Sequence, residues 1–66
     1  MKVKYDVYIG PRLVEVVYRK TRDPAREVRK ELIEHDDYPN IISVYRYHPT
    51  KHAFDDMARA THPEEL

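Results

Sequence analysis

The 66-residue chain has no cysteine, one glycine and one serine, and no stretch of apolar residues long enough to cross a bilayer. Each scarcity removes a class of function. Without thiols there can be no disulfide staple and no thiolate metal site, which suits a reducing compartment. With Gly10 as the sole glycine, a glycine-rich phosphate loop is excluded. Ser43 lies in a β-branched, aromatic stretch and is not set up as a nucleophile. The N-terminal Met1-Lys-Val-Lys-Tyr-Asp alternates charge with apolar side chains and reads as neither a signal peptide nor a membrane anchor. A cytoplasmic location and no contact with membranes are therefore expected.

A chain this short makes a single domain, read as residues 1–60 with 61–66 as a frayed tail. Its core is thin, worth only about 3–5 kcal/mol, and domains of this size commonly gain stability from a staple or a partner. Twelve basic and twelve acidic side chains cancel. Residues 1–30 nevertheless hold nine Lys/Arg against four Asp/Glu, a surplus of five positive charges, and residues 31–66 hold three against eight. Such a dipole marks a nucleic-acid face or an acidic surface, or two halves that lie together and screen each other.

Val3, Tyr5, Val7 and Ile9 alternate with polar residues, the period of a half-buried strand. Gly10-Pro11 suits a two-residue hairpin turn leading into a second strand with Val14, Val16 and Tyr18. In the simplest register Val7 faces Val14, Tyr5 faces Val16 and Val3 faces Tyr18. Val16 is then buried, Val17 exposed, and Asp6 stands opposite Glu15 on a solvated outer face. Asp23 as N-cap and Pro24 as first residue open an amphipathic helix with Ala25, Val28 and Leu32 on its apolar side, ending near His35. Asp36 to Asn40 is turn chemistry, and Asn40 to Tyr47 reads as a third strand. Ala53, Phe54, Met57 and Ala58 fall at helical spacing and predict a short second helix near residues 51–60. The expected fold is α+β: a small antiparallel sheet of three strands, β-β-α-β in order 2-1-3, covered by one amphipathic helix.

Tyr-Asp-Val-Tyr-Ile-Gly, followed by Glu27-Val28-Arg29, Leu32, His35-Asp36 and Tyr38-Pro39, resembles a class of short uncharacterised phage and bacterial proteins. These carry a hairpin, then a helix reading Glu-Val-Arg-x-x-Leu-x-x-His-Asp-Gly-Tyr, then a strand. The resemblance spans roughly residues 5–46 and departs at Asp37, where that pattern has glycine. It implies no activity, only a genomic setting rich in small accessory and host-interaction proteins.

Candidate chemistry is sparse. Glu34-His35-Asp36-Asp37 could hold a divalent cation or form an acid–base pair; as structure, it is a helix end and a turn. His48 and His52 stand four apart, but Pro49 breaks the helix that spacing needs, and His62 is remote. No catalytic residue, metal ligand or cofactor is assigned. Six tyrosines are many for this length. Tyr5, Tyr18 and Tyr38 suit the core or its edge. Tyr8 with Arg12, Leu13 and Val17, and Tyr45 with Arg46 and Tyr47, suit an open sheet face. Aromatics with arginine there are the composition of protein-contact hot spots and of single-stranded nucleic-acid platforms, or they simply cover a thin sheet. The first reading is a non-enzymatic protein-interaction module, phage accessory or self-associating. The alternative is a small nucleic-acid-binding domain using Lys2, Lys4, Arg12, Arg19, Lys20 and Arg22, which zero net charge opposes. A small enzyme or enzyme subunit comes last.

Overall fold

The structure, a computed structural model, describes residues 2–48, 50 and 53–60. Strands β1 (Val3–Ile9) and β2 (Arg12–Arg19) form a hairpin; helix α1 (Ala25–His35), strand β3 (Ile42–His48) and strand β4 (Ala53–Ala58) follow. The four strands make one antiparallel sheet in the order β2-β1-β3-β4. The α+β class and the run 2-1-3 agree with the sequence pattern, but where a second helix is expected near residues 51–60 the chain forms a fourth strand over Ala53–Ala58, with 51 and 52 outside the described residues. The proposed tail, 61–66, lies outside the described residues.

Gly10 turns the hairpin at φ 60°, the left-handed conformation that the first position of such a turn demands and glycine adopts freely. From there Ile9 pairs with Arg12 and Tyr8 with Leu13, as expected. The register then slips: Val7 faces Glu15, Asp6 faces Val16 and Tyr5 faces Val17. Val14 is the extra residue of a β-bulge, and past it every β2 side chain changes face. Val17, not Val16, therefore points to the helix and packs on the core. Tyr18, expected in the core or at its edge, is 55% exposed. A second bulge explains the missed strand. Tyr47 pairs with Phe54 and Arg46 with Asp56, leaving Asp55 extra. Phe54 and Met57 thus share a face although they are three apart, a spacing that reads as helical.

Tyr5 and Val7 from β1, Ile42 and Val44 from β3, and Ala25, Val28 and Leu32 from α1 are the buried core. The helix lies toward β3 and β4 and leaves much of the inner side of β2 uncovered. Pro24 occupies the N-cap position, and no side chain of the preceding loop caps the helix. Asp23 is not the cap; its carboxylate accepts the Thr21 hydroxyl. The cap comes from β4 instead, where Asp56 Oδ2 accepts the Ala25 N–H at 2.6 Å. A carboxylate at that end also complements the helix dipole.

At the other end the N–H groups of Asp36 and Tyr38 both donate to the Leu32 carbonyl. The chain turns there through Asp37 at φ 59°, a left-handed conformation that aspartate tolerates better than most residues. Arg29 then ties the helix to β3 by donating to the carbonyls of Ile42 and Asn40.

Candidate functional site

One helix covers one face of the sheet. Among the described residues nothing covers the other, and the alternation of β1, β3 and β4 loads it with aromatic side chains. Tyr8 of β1 meets Tyr45 of β3 edge-on, ring centroids 5.3 Å apart at 72°. Tyr45 meets Phe54 of β4 at 4.9 Å and 54°. The three rings form a diagonal ladder across three strands, in the offset geometry aromatic pairs prefer. Leu13 stands opposite Tyr8 and Met57 opposite Tyr45, both about half exposed. The β4 part of this surface, Phe54 and Met57, was hidden from sequence reasoning because residues 51–60 read as a helix.

At the centre of that face is a carboxylate. Asp6 sits on a strand flanked on both sides, with Val16 and Tyr45 as its cross-strand neighbours, and is only 7% exposed. It does not oppose Glu15, which faces Val7 on the helix side. Asp6 Oδ1 is buried without a hydrogen-bond partner, although Lys4 Nζ stands 3.7 Å away. An unmatched buried acceptor costs about 1–3 kcal/mol, a large amount for a domain of this size. Lys4 Nζ also lies 5.1 Å from the centroid of the Tyr47 ring. A cation held between a ring face and a carboxylate is thus already part of this surface.

The sequence-predicted contact residues divide. Tyr8, Leu13, Tyr45 and Tyr47 share the open face, whereas Arg12, exposed at the hairpin turn, pairs with Ile9 on the helix side and so does not join it. Val17 and Arg46 do not belong to it. Val17 packs on the core for the reason of register given above. Arg46 is on the inner side, where its Nη1 donates to the Asp23 carbonyl at 2.9 Å and its Nε to Asp55 Oδ1 at 3.0 Å. Tyr5 donates its hydroxyl to the same Asp23 carbonyl at 2.7 Å. Burial pushes the Tyr5 phenol above its ordinary pKa, against the smaller opposing pulls of the bond to Asp23 and of Arg46. Asp55 also pairs with Arg22. This cluster fastens the loop before α1 to the sheet.

The remaining candidates stand apart. His35 lies in the last turn of α1, and Asp36 and Asp37 are exposed beyond it. Among the described residues no three His, Asp or Glu side chains gather as a metal would need. His48 Nδ1 is 2.9 Å from the Thr50 hydroxyl; His52 and His62 lie outside the described residues. The Ser43 hydroxyl accepts the Ala60 N–H at 2.9 Å. Of the basic residues, Lys4 faces Asp6, Arg19 pairs with Glu31 and Arg22 with Asp55. The last two each join a base of residues 1–30 to an acid of residues 31–66. No described helix is long and apolar enough to cross a membrane.

No protein-family model matches the chain, and no curated protein or solved structure matches it.

Proposed function

We propose that the protein is a non-enzymatic interaction module that docks a protein segment on the open face of its sheet. The segment presents an arginine to Asp6 and apolar side chains to the Tyr8–Tyr45–Phe54 ladder. The observation that carries this reading is the buried Oδ1 of Asp6 at the centre of an aromatic face, which has no hydrogen-bond partner and only the half-exposed Lys4 ammonium, 3.7 Å away, to balance its charge. Guanidinium suits it on two counts: it donates to carboxylate and it stacks on aromatic rings. Lys4 already places a cation there, and with its side chain 39% exposed it can swing aside at small cost. The flanking rings and Met57 supply the anchors that dominate contact energies. The non-enzymatic reading is supported by the scatter of titratable groups, since catalysis needs a base and its orienting group in one concave place. A nucleic-acid role has less support, because half of the basic residues it would use are neutralised by the chain's own carboxylates. A phage accessory or host-interaction setting rests on the sequence resemblance alone.

The test is binding to peptides that differ only in a central Arg, Lys, Gln or Glu. Arginine binds best, Asp6→Asn removes that preference, and Tyr45→Ser weakens all four. Binding that ignores the central residue, or that survives both substitutions, overturns the reading.

A further inference from the structure

Strand β2 is the edge of the sheet, and it is poorly defended. It is eight residues long, Leu13, Val14 and Tyr18 on it are exposed, and α1 leaves its inner side open. A groove there runs between β2 and the end of the helix, lined by Glu15, Val17, Arg19, Leu32, Asp36 and Tyr38. An exposed edge of this kind is a template for another strand. The opposite edge, β4, is shorter and has its Asp55 and Asp56 committed to Arg22, Arg46 and the N-terminus of α1.

Which β2 groups are free follows from the register. The residues flanking a two-residue turn form a hydrogen-bonded pair, and such pairs alternate with non-bonded ones along an antiparallel ladder. Ile9–Arg12 is therefore bonded and Tyr8–Leu13 is not. Past the bulge, Val7–Glu15 and Tyr5–Val17 are bonded, while the N–H and C=O groups of Val16 and Tyr18 point away from β1. An incoming strand must bond to Val16 and Tyr18.

We propose that β2 is the contact strand of a symmetric homodimer. Two copies of β2 pair antiparallel about a twofold axis at Val17, so that Glu15 of each copy faces Arg19 of the other. With the axis perpendicular to the sheet, side chains keep their faces, which restricts the register to those pairing inner with inner residues. Among these, the one centred on Val17 sets Val16 against Tyr18, the two residues with free backbone groups, as bonded pairs. It sets Val17 against Val17 as a non-bonded pair, with an acidic–basic pair on either side. Moving the centre to Val16 would oppose Glu15 to Val17. Moving it to Tyr18 would oppose Arg19 to Val17 and Lys20 to Val16. Only the Val17 centre matches opposite charges; Arg19, which pairs with the exposed Glu31 of its own chain at 3.2 Å, is then shared with or turned to Glu15 of the other copy. The result is one eight-stranded sheet with both helices on the same side. This contact is on the sheet edge and stands independently of the open-face reading.

The native chain has no cysteine, so single cysteines report the contact without background. Residues in a non-bonded antiparallel pair lie about 4.5 Å apart at Cα, within disulfide range. Val17→Cys treated with oxidised glutathione is expected to give a disulfide-linked dimer. Val16→Cys and Tyr45→Cys stay largely uncrosslinked. Sedimentation of the chain without cysteine is expected to show a monomer–dimer equilibrium. Glu15→Lys weakens it by about tenfold, the sum of two lost and two repulsive pairs, and adding Arg19→Glu recovers most of the loss. Thermal melts of the dilute variants confirm that each folds. A chain that stays monomeric up to about millimolar concentration, or a dimer indifferent to Glu15→Lys, overturns the proposal. Preferential crosslinking through Tyr45→Cys also overturns it and assigns self-association to the open face.

Discussion

Asp56 of β4 accepts the Ala25 N–H at 2.6 Å, so the first turn of the helix is capped by a residue 31 positions later in the chain. Strand and helix are thereby coupled. Asp56→Ala is expected to destabilise the domain by about 1–2 kcal/mol, the usual cost of losing a cap. Asp23→Ala, at the position local sequence chemistry would choose as cap, should cost less, because that side chain meets only Thr21. Urea midpoints of the two variants make the comparison.

The bulge at Val14 reverses the roles of Val16 and Val17. Val17→Asp places a carboxylate against the core and should unfold a domain of such small total stability. Val16→Lys places an ammonium opposite Asp6, where Oδ1 lacks a partner, and should leave the fold intact. Circular dichroism at low protein concentration reads both. The opposite ranking would contradict the register.

These two cases show what the sequence carried and what it did not. Alternation over residues 3–9, the Gly10 turn, the apolar stripe of Ala25, Val28 and Leu32, and the β-branched run before His48 each encode an element in local order, and all four are present, with the helix opening at Ala25 rather than Pro24 and the third strand running Ile42–His48 rather than Asn40–Tyr47. The failures share one cause. A bulge adds one residue to a strand and resets its period, so Val14 exchanged the faces of β2, and Asp55 gave β4 an apparent helical spacing. The helix cap was illegible for a different reason, since Asp56 reaches Ala25 only through tertiary structure. The candidate site inherited both effects. Tyr8, Tyr45 and Tyr47 were visible as an outward set, whereas Phe54 and Met57 vanished with β4. Asp6 read as one of a solvated carboxylate pair until the shifted register moved Glu15 to the other face.

Asp37 holds a left-handed conformation at the helix end. Asp37→Gly, which removes the side chain that disfavours this conformation, should raise stability slightly, and Asp37→Val should lower it by about 1–2 kcal/mol. Thermal unfolding of both variants tests this, and a neutral valine would show that the turn is not needed.

Burial raises the Tyr5 pKa in the folded state. The folded protein therefore keeps its proton to higher pH than the unfolded chain does. Below the ordinary tyrosine value of about 10 the phenol is protonated in both states, and its environment gives no pH dependence. Above that value stability falls as pH rises toward the folded pKa, because the unfolded chain binds fewer protons. Tyr5→Phe loses the bond to Asp23 at every pH but also loses this alkaline decline. Parallel curves for the two proteins above pH 10 would contradict the assignment.

The most direct test of the account is where a partner touches the sheet. A photoreactive phenylalanine placed singly at Tyr8, Tyr45, Phe54, Arg26 or Glu34 samples the open face and the exposed side of the helix in turn. Illumination in the native cell is expected to yield one crosslinked protein species from the first three positions and little from the last two, with Asp6→Asn reducing the yield. Equal crosslinking from the helix positions, or a yield at Tyr45 unaffected by Asp6→Asn, would contradict the open face as the binding surface.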